Sequence, residues 1–120
     1  MSETPPGPLL LQTPADFLDH VGKKLGTSGW FTIEQHHIDD FARVTGDDFW
    51  IHVDVERARR EMPQGKTIAH GLFTLSLVPR LQREIFRVER RGKGLNYGSD
   101  RVRYTAHARA TRSQAPRSTR

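Results

Sequence analysis

A carboxylate and an imidazole stand five residues apart in the run Thr45-Gly46-Asp47-Asp48-Phe49-Trp50-Ile51-His52-Val53-Asp54. On one helix that spacing would set Asp47 and His52 ~140° apart, so a loop is expected to bring them together. Side by side they can hold a water between two bases and pass its proton onward. Fifteen residues after His52 the run Thr67-Ile68-Ala69-His70-Gly71-Leu72 places a glycine at the expected start of a long apolar helix. Free backbone N–H groups collect at such a start, and the N–H of Gly71 could bind a developing oxyanion. An acid/base pair with an oxyanion donor is the minimum set for adding water across an activated double bond. Taken singly, each piece also has a bland explanation. Asp47 could cap local backbone, His52 could be a satisfied buried residue, and Gly71 could permit close packing of helix on sheet.

The elements that must hold these residues can be read from patterning. Thr13 reads as an N-cap with Pro14 in the first helical position and Asp16 near the positive dipole end. Phe17, Leu18 and Val21 would be the buried stripe of that helix, with Gly22 or Gly26 ending it. Trp30-Phe31-Thr32-Ile33 is rich in β-formers and is expected to be a strand. Ile38, Phe41, Ala42 and Thr45 follow helical spacing, and Gly46 supplies a stop just before Asp47. Asp54 is expected to cap a short helix, Val55–Glu61. From Thr67 the positions Ile68, Leu72, Leu75, Val78, Leu81 and Ile85 advance by three or four, and Phe73, Leu77 and Phe86 widen the stripe. This predicts one long helix, wrapped on most sides and kinked at Pro79. Leu95-Asn96-Tyr97-Gly98 and the alternation around Val102 and Tyr104 read as further strands.

Three motifs, in order along the chain, resemble a known family. Thr-Gly-Asp-x-x-x-Ile-His-x-Asp, then Ile-Ala-His-Gly-x-x-Thr-x-Ser, resembles the MaoC-like dehydratases, hot-dog-fold (R)-specific enoyl-CoA hydratases. Trp50 before Ile51-His52, Pro79-Arg80-Leu81 in the apolar run and Asn96-Tyr97-Gly98 after it are similar to the NodN-like branch. The likeness covers about Phe17 to Tyr104. It implies an α+β hot-dog fold, with a curved antiparallel sheet wrapped around one long central helix. It also implies reversible (R)-specific hydration of trans-2-enoyl-CoA thioesters, with Asp47 and His52 as the catalytic pair. Gly71, with His70 and Asn96, would bind the substrate, the Gly71 N–H polarising the thioester carbonyl. No cofactor or metal is implied, because coenzyme A enters with the substrate, and a homodimer is expected. Many members carry Asn-Pro where this chain has Phe49-Trp50, which narrows the loop on one side and bears on substrate size.

Composition bounds the alternatives. With 120 residues the chain is one domain at most, and no apolar run approaches the ~20 residues of a membrane span. The N-terminus lacks a basic region and an adequate apolar stretch for export, and no cysteine is present, which fits the cytoplasm. Residues 1–79 hold 7 Lys/Arg against 11 Asp/Glu, whereas residues 80–120 hold 12 against 3, so the net charge of +5 sits in the last third. Aromatics in that third are sparse (Phe86, Tyr97 and Tyr104), so nucleic acid is not an expected partner. His52-x-Asp54 with His36, His37 or His70 imitates a two-histidine, one-carboxylate metal site. Adjacent His36 and His37 should diverge, however, and no metal is expected.

Residues 1–12 are expected to be a flexible leader, 13–106 a partial hot-dog domain and 107–120 a disordered basic tail. The family continues with long alternating strands where this chain has Ala108-Arg109-Ala110-Thr111-Arg112 and onward. A truncated or frameshifted member lacking the last strands is therefore expected. The rival reading is an inactive remnant that binds acyl-CoA or a partner subunit.

Overall fold

The computed structural model describes residues 7–111. They form a mixed α and β chain in two compact units. The first unit takes the described residues up to Gly29 together with Val78–Val102; the second takes Trp30–Leu77 and the residues from Arg103 onward.

In the first unit, strands β1 (Leu9–Leu11) and β2 (Phe86–Val88) pair in parallel, with Leu9 opposite Phe86 and Leu11 opposite Val88. Leu11 is buried. Residues 9–11 were expected in a loose leader; Leu9 and Leu11, opposite Phe86 and Val88, give the segment enough burial to order it. Residues 1–6 lie outside the described residues. A 3-10 helix follows, Pro14–His20, with Thr13 and Pro14 in the capping places expected of them. Phe17 meets Phe86 edge to face at 5.1 Å between ring centroids. Leu18 and Val21, expected beside it, are exposed. A 3-10 helix repeats every three residues, so a stripe spaced for 3.6 does not stay on one side.

The second unit holds the site. Helix α1 (Gln35–Thr45) buries Ile38 and Ala42. It ends at Gly46, whose φ of 82° lets its N–H bond to the Ala42 carbonyl at 2.8 Å, as the glycine predicts. Helix α2 (Trp50–Val53) is a single turn, and α3 (Val55–Glu61) starts where Asp54 Oδ1 accepts from Arg57 N at 3.0 Å. Ile33, Ile38, Ala69 and Ala108 make the buried cluster, with Phe31, Phe73, Leu77 and Ala110 packed around it.

Several expectations change here. The apolar run from Thr67 is two short helices, α4 (Gly71–Ser76) and α5 (Val78–Gln82), instead of one long one. The break at Leu77 lies next to Pro79, which has no N–H to give the Leu75 carbonyl. Leu72 is 61% exposed, so this run is not wrapped on most sides. Within Trp30–Ile33 Phe31 alone makes an isolated bridge and no strand forms, and residues 95–98 and 102–104 form none. Leu95 and Tyr97 are open to solvent.

Residues 107–111, expected in a disordered tail, are instead built in. Ala69 N–H bonds to the Ala108 carbonyl at 2.7 Å, Ala110 N–H to the Thr67 carbonyl at 3.1 Å, and Thr111 N–H to the Ile33 carbonyl at 2.9 Å. Backbone bonds of this kind need no large side chain, and Ala108 is small enough to be buried against Ile33 and Ile38. Residues 112–120 lie outside the described residues. The only regular sheet among the described residues is the two-stranded parallel β1–β2 pair, so no curved antiparallel sheet encloses a helix there.

Candidate functional site

Asp47 follows the α1 stop directly, and its own N–H rests 3.3 Å from Thr45 Oγ1. Its side chain is exposed. His52 was expected on a loop but lies within the single turn α2, where it is 8% exposed. The turn is held from both sides. Its Ile51 carbonyl accepts from Ile68 N–H at 3.1 Å, and its His52 carbonyl accepts from Gln35 Nε2 at 2.8 Å. Gln35 also accepts from Thr67 Oγ1 through its Oε1. This one side chain therefore links α1, α2 and the segment that leads to His70. Its importance was not visible in the sequence, because a lone glutamine at a helix start carries no distinctive spacing.

His52 Nδ1 lies 2.7 Å from the Ile68 carbonyl. A carbonyl only accepts, so Nδ1 carries the hydrogen and Nε2 keeps its lone pair in the neutral ring. His70 is 3% exposed and reaches back with Nε2 to the Asp47 carbonyl at 2.8 Å. By the same rule His70 Nδ1 holds a lone pair, and that atom is buried without a hydrogen-bond partner. The two imidazoles stack with centroids 3.8 Å apart and 22° between planes. One ligand atom each from Asp47, His52 and His70 lies within 4.8 Å of the others. The structure thus brings Asp47 and His52 together, and His70 with them.

Gly71 opens α4, with His70 as its cap. As the first residue its N–H makes no bond within the helix. A Cβ at this position would come within 2.7 Å of the Tyr104 ring, so the glycine is required by the close approach of that ring. Tyr104 was read only as a strand residue; nothing local in the sequence ties it to Gly71. A cavity of about 400 Å³ is lined by His52, Gly71, Thr74 and Tyr104 among others. Asn96 belongs to the first unit, in an exposed stretch without regular structure.

Asp54 caps α3, and His36 and His37 do not diverge: their rings lie 4.0 Å apart, with His36 Nε2 3.1 Å from Glu34 Oε1. A single helical step leaves their χ1 rotations free to bring adjacent rings together.

Residues 16–110 match the MaoC like domain. The chain belongs to the MaoC-like domain family. It is 46% identical over 95 residues to a protein of Mycobacterium tuberculosis H37Rv named 3-hydroxyacyl-thioester dehydratase Z, covering 79% of this chain and 62% of that one. It is 46% identical over 91 residues to nodulation protein N of Rhizobium leguminosarum bv. viciae, covering 75% of this chain and 56% of that one. Against nodulation protein N of Rhizobium meliloti, identity is 43% over 96 residues, covering 79% and 60%. The chain therefore spans about three fifths of the length of the curated relatives it matches. No helix among the described residues of this MaoC-like chain is long and apolar enough to cross a membrane.

Proposed function

We propose that this MaoC-like chain carries the site of a hydro-lyase that adds water reversibly to trans-2-enoyl-CoA thioesters to give (R)-3-hydroxyacyl-CoA. The observation that carries the reading is the meeting of Asp47, His52 and His70 within 4.8 Å beside Gly71. A relative named a 3-hydroxyacyl-thioester dehydratase supports the reaction class.

In the proposed reaction the His52 Nε2 lone pair takes a proton from a water whose other hydrogen bonds to the Asp47 carboxylate. The water oxygen forms its bond to the β-carbon as the carbon–carbon π electrons move toward the thioester carbonyl. The Gly71 N–H then stabilises the enolate oxygen. His52 returns the proton to the α-carbon, which completes the addition and restores the neutral ring. No redox or metal cofactor enters the scheme. A hot-dog homodimer in the cytoplasm is the setting this reading gives.

The test is loss of enoyl-thioester absorbance with crotonyl-CoA, wild type beside Asp47→Asn. Saturable turnover lost in the variant supports the proposal; equal rates for both proteins would remove the dyad. A second reading, acyl-CoA binding without turnover, is favoured by one observation: the Tyr104 ring lies against Gly71, where a thioester oxygen would have to approach. Binding of crotonyl-CoA by calorimetry with no turnover in either protein would select it.

A further inference from the structure

The cavity beside His52 and Gly71 holds a cation that the proposed hydration does not use. Arg103, Thr105 and His107 line it together with His52, Gly71 and Thr74, and among the described residues no carboxylate does. Arg103 is exposed and makes no ion pair or hydrogen bond among the described residues. Its guanidinium can therefore meet an incoming anion without first giving up a partner. A guanidinium grips a carboxylate through two parallel N–H···O bonds, which select that group by shape as well as by charge.

We propose that the enoyl thioester taken by this site carries a carboxylate at the far end of a short acyl chain, and that Arg103 binds it. Size separates this anion from the phosphates of coenzyme A. A round cavity of about 400 Å³ is roughly 9 Å across, at the small end for ligand pockets. The pantetheine arm between thioester and phosphate is as long as about four extended residues, roughly 14 Å. With the double bond at His52, a phosphate falls outside the cavity. A carboxyl carbon two bonds beyond the β-carbon falls inside it. Ile51, Ile68 and Ala106 supply apolar lining for the few carbons between. The extra carboxylate makes and breaks no bond, so the hydration itself is unchanged. Turnover of such a substrate rests on the hydration reading, whereas its preferred binding does not.

The experiment compares crotonyl-CoA with its 4-carboxy analogue, trans-glutaconyl-CoA, on full-length wild type and Arg103→Gln, by steady-state hydration and by calorimetry. Wild type should show a KM for glutaconyl-CoA lower by ~10-fold or more, the effect of a hydrogen bond to a charged group. Arg103→Gln should erase that preference. Arg103→Lys keeps the charge but not the fork, and should restore part of it. Arg43→Gln, at an exposed arginine paired with Asp40, should keep the wild-type ratio. Wild type that treats the two thioesters alike, in KM and in affinity, overturns the proposal, as does a preference unaltered in Arg103→Gln. A KM raised equally for both thioesters in Arg103→Gln also overturns it, and gives Arg103 to the phosphates instead. Turnover without preference sinks the carboxylate site alone; a calorimetric preference without turnover sinks hydration alone.

Discussion

The imidazole of His70 stacks on that of His52 at 3.8 Å while its Nε2 donates to the Asp47 carbonyl at 2.8 Å, so one ring touches both residues of the proposed acid/base pair. In the proposed site His70 would thereby position the His52 ring and the Asp47 backbone. Replacing it by Phe keeps the stack and removes the hydrogen bond. We expect a stability loss of about 0.5–1.5 kcal/mol, read from the urea midpoint. The larger effect should fall on kcat rather than KM, because Asp47 loses its anchor; an unchanged kcat would show that the anchor is unimportant.

Asp47→Asn and His52→Gln separate chemistry from folding. Removing a general base costs about 100- to 10,000-fold in rate. Asp47→Asn should reach that range with an unchanged melting temperature, since the side chain is exposed. His52→Gln should lose both activity and stability, because its Nδ1 bond to the Ile68 carbonyl is buried.

Gly71→Ala should destabilise the chain although alanine is the better helix former by about 1 kcal/mol. The added methyl would meet the Tyr104 ring at 2.7 Å. Tyr104→Ala in the same chain should restore the difference, and a double-mutant cycle measures it. Additive effects would mean the ring is not the cause.

Asp16 titrates below the ordinary carboxylate value of 3.8, first because the Thr13 backbone hydrogen-bonds its carboxylate and next because Gln12 does. A folded-state value below the unfolded one stabilises the fold above that ordinary value, and the contribution is lost as pH falls through the depressed one. Asp16→Asn should therefore narrow its stability deficit relative to wild type below about pH 4. Melting curves at neutral and acid pH check the sign; a deficit constant with pH would contradict it.

Ile38 is completely buried in the cluster beneath the site. Ile38→Ala should cost about 2–5 kcal/mol, seen as a lower denaturant midpoint. A cost below 1 kcal/mol would mean that the cluster collapses around the gap.

Local signals were the legible ones. Gly46 as a stop, Asp54 as a cap and Thr13-Pro14 as a start each act within one helical turn, so their spacing carries the whole interaction. The Asp47/His52 pair was legible because its motif is short. His70 reaching the Asp47 carbonyl, Tyr104 covering Gly71 and Gln35 spanning to Thr67 are contacts across 23 to 33 positions that leave no periodic trace. Apolar spacing from Thr67 to Ile85 describes a face but not continuity, so the break at Leu77 escaped it. Residues 107–111 were misread because alanine and arginine reveal nothing about backbone pairing.

That pairing sets a clock on the site. The Ala69 amide, one position before His70, is tied to the Ala108 carbonyl at 2.7 Å. Whenever this five-residue clasp lets go, the segment leading to His70 loses its neighbour and the stacked rings meet water. The exchange rate of a single backbone hydrogen therefore reports how long the whole arrangement endures between openings.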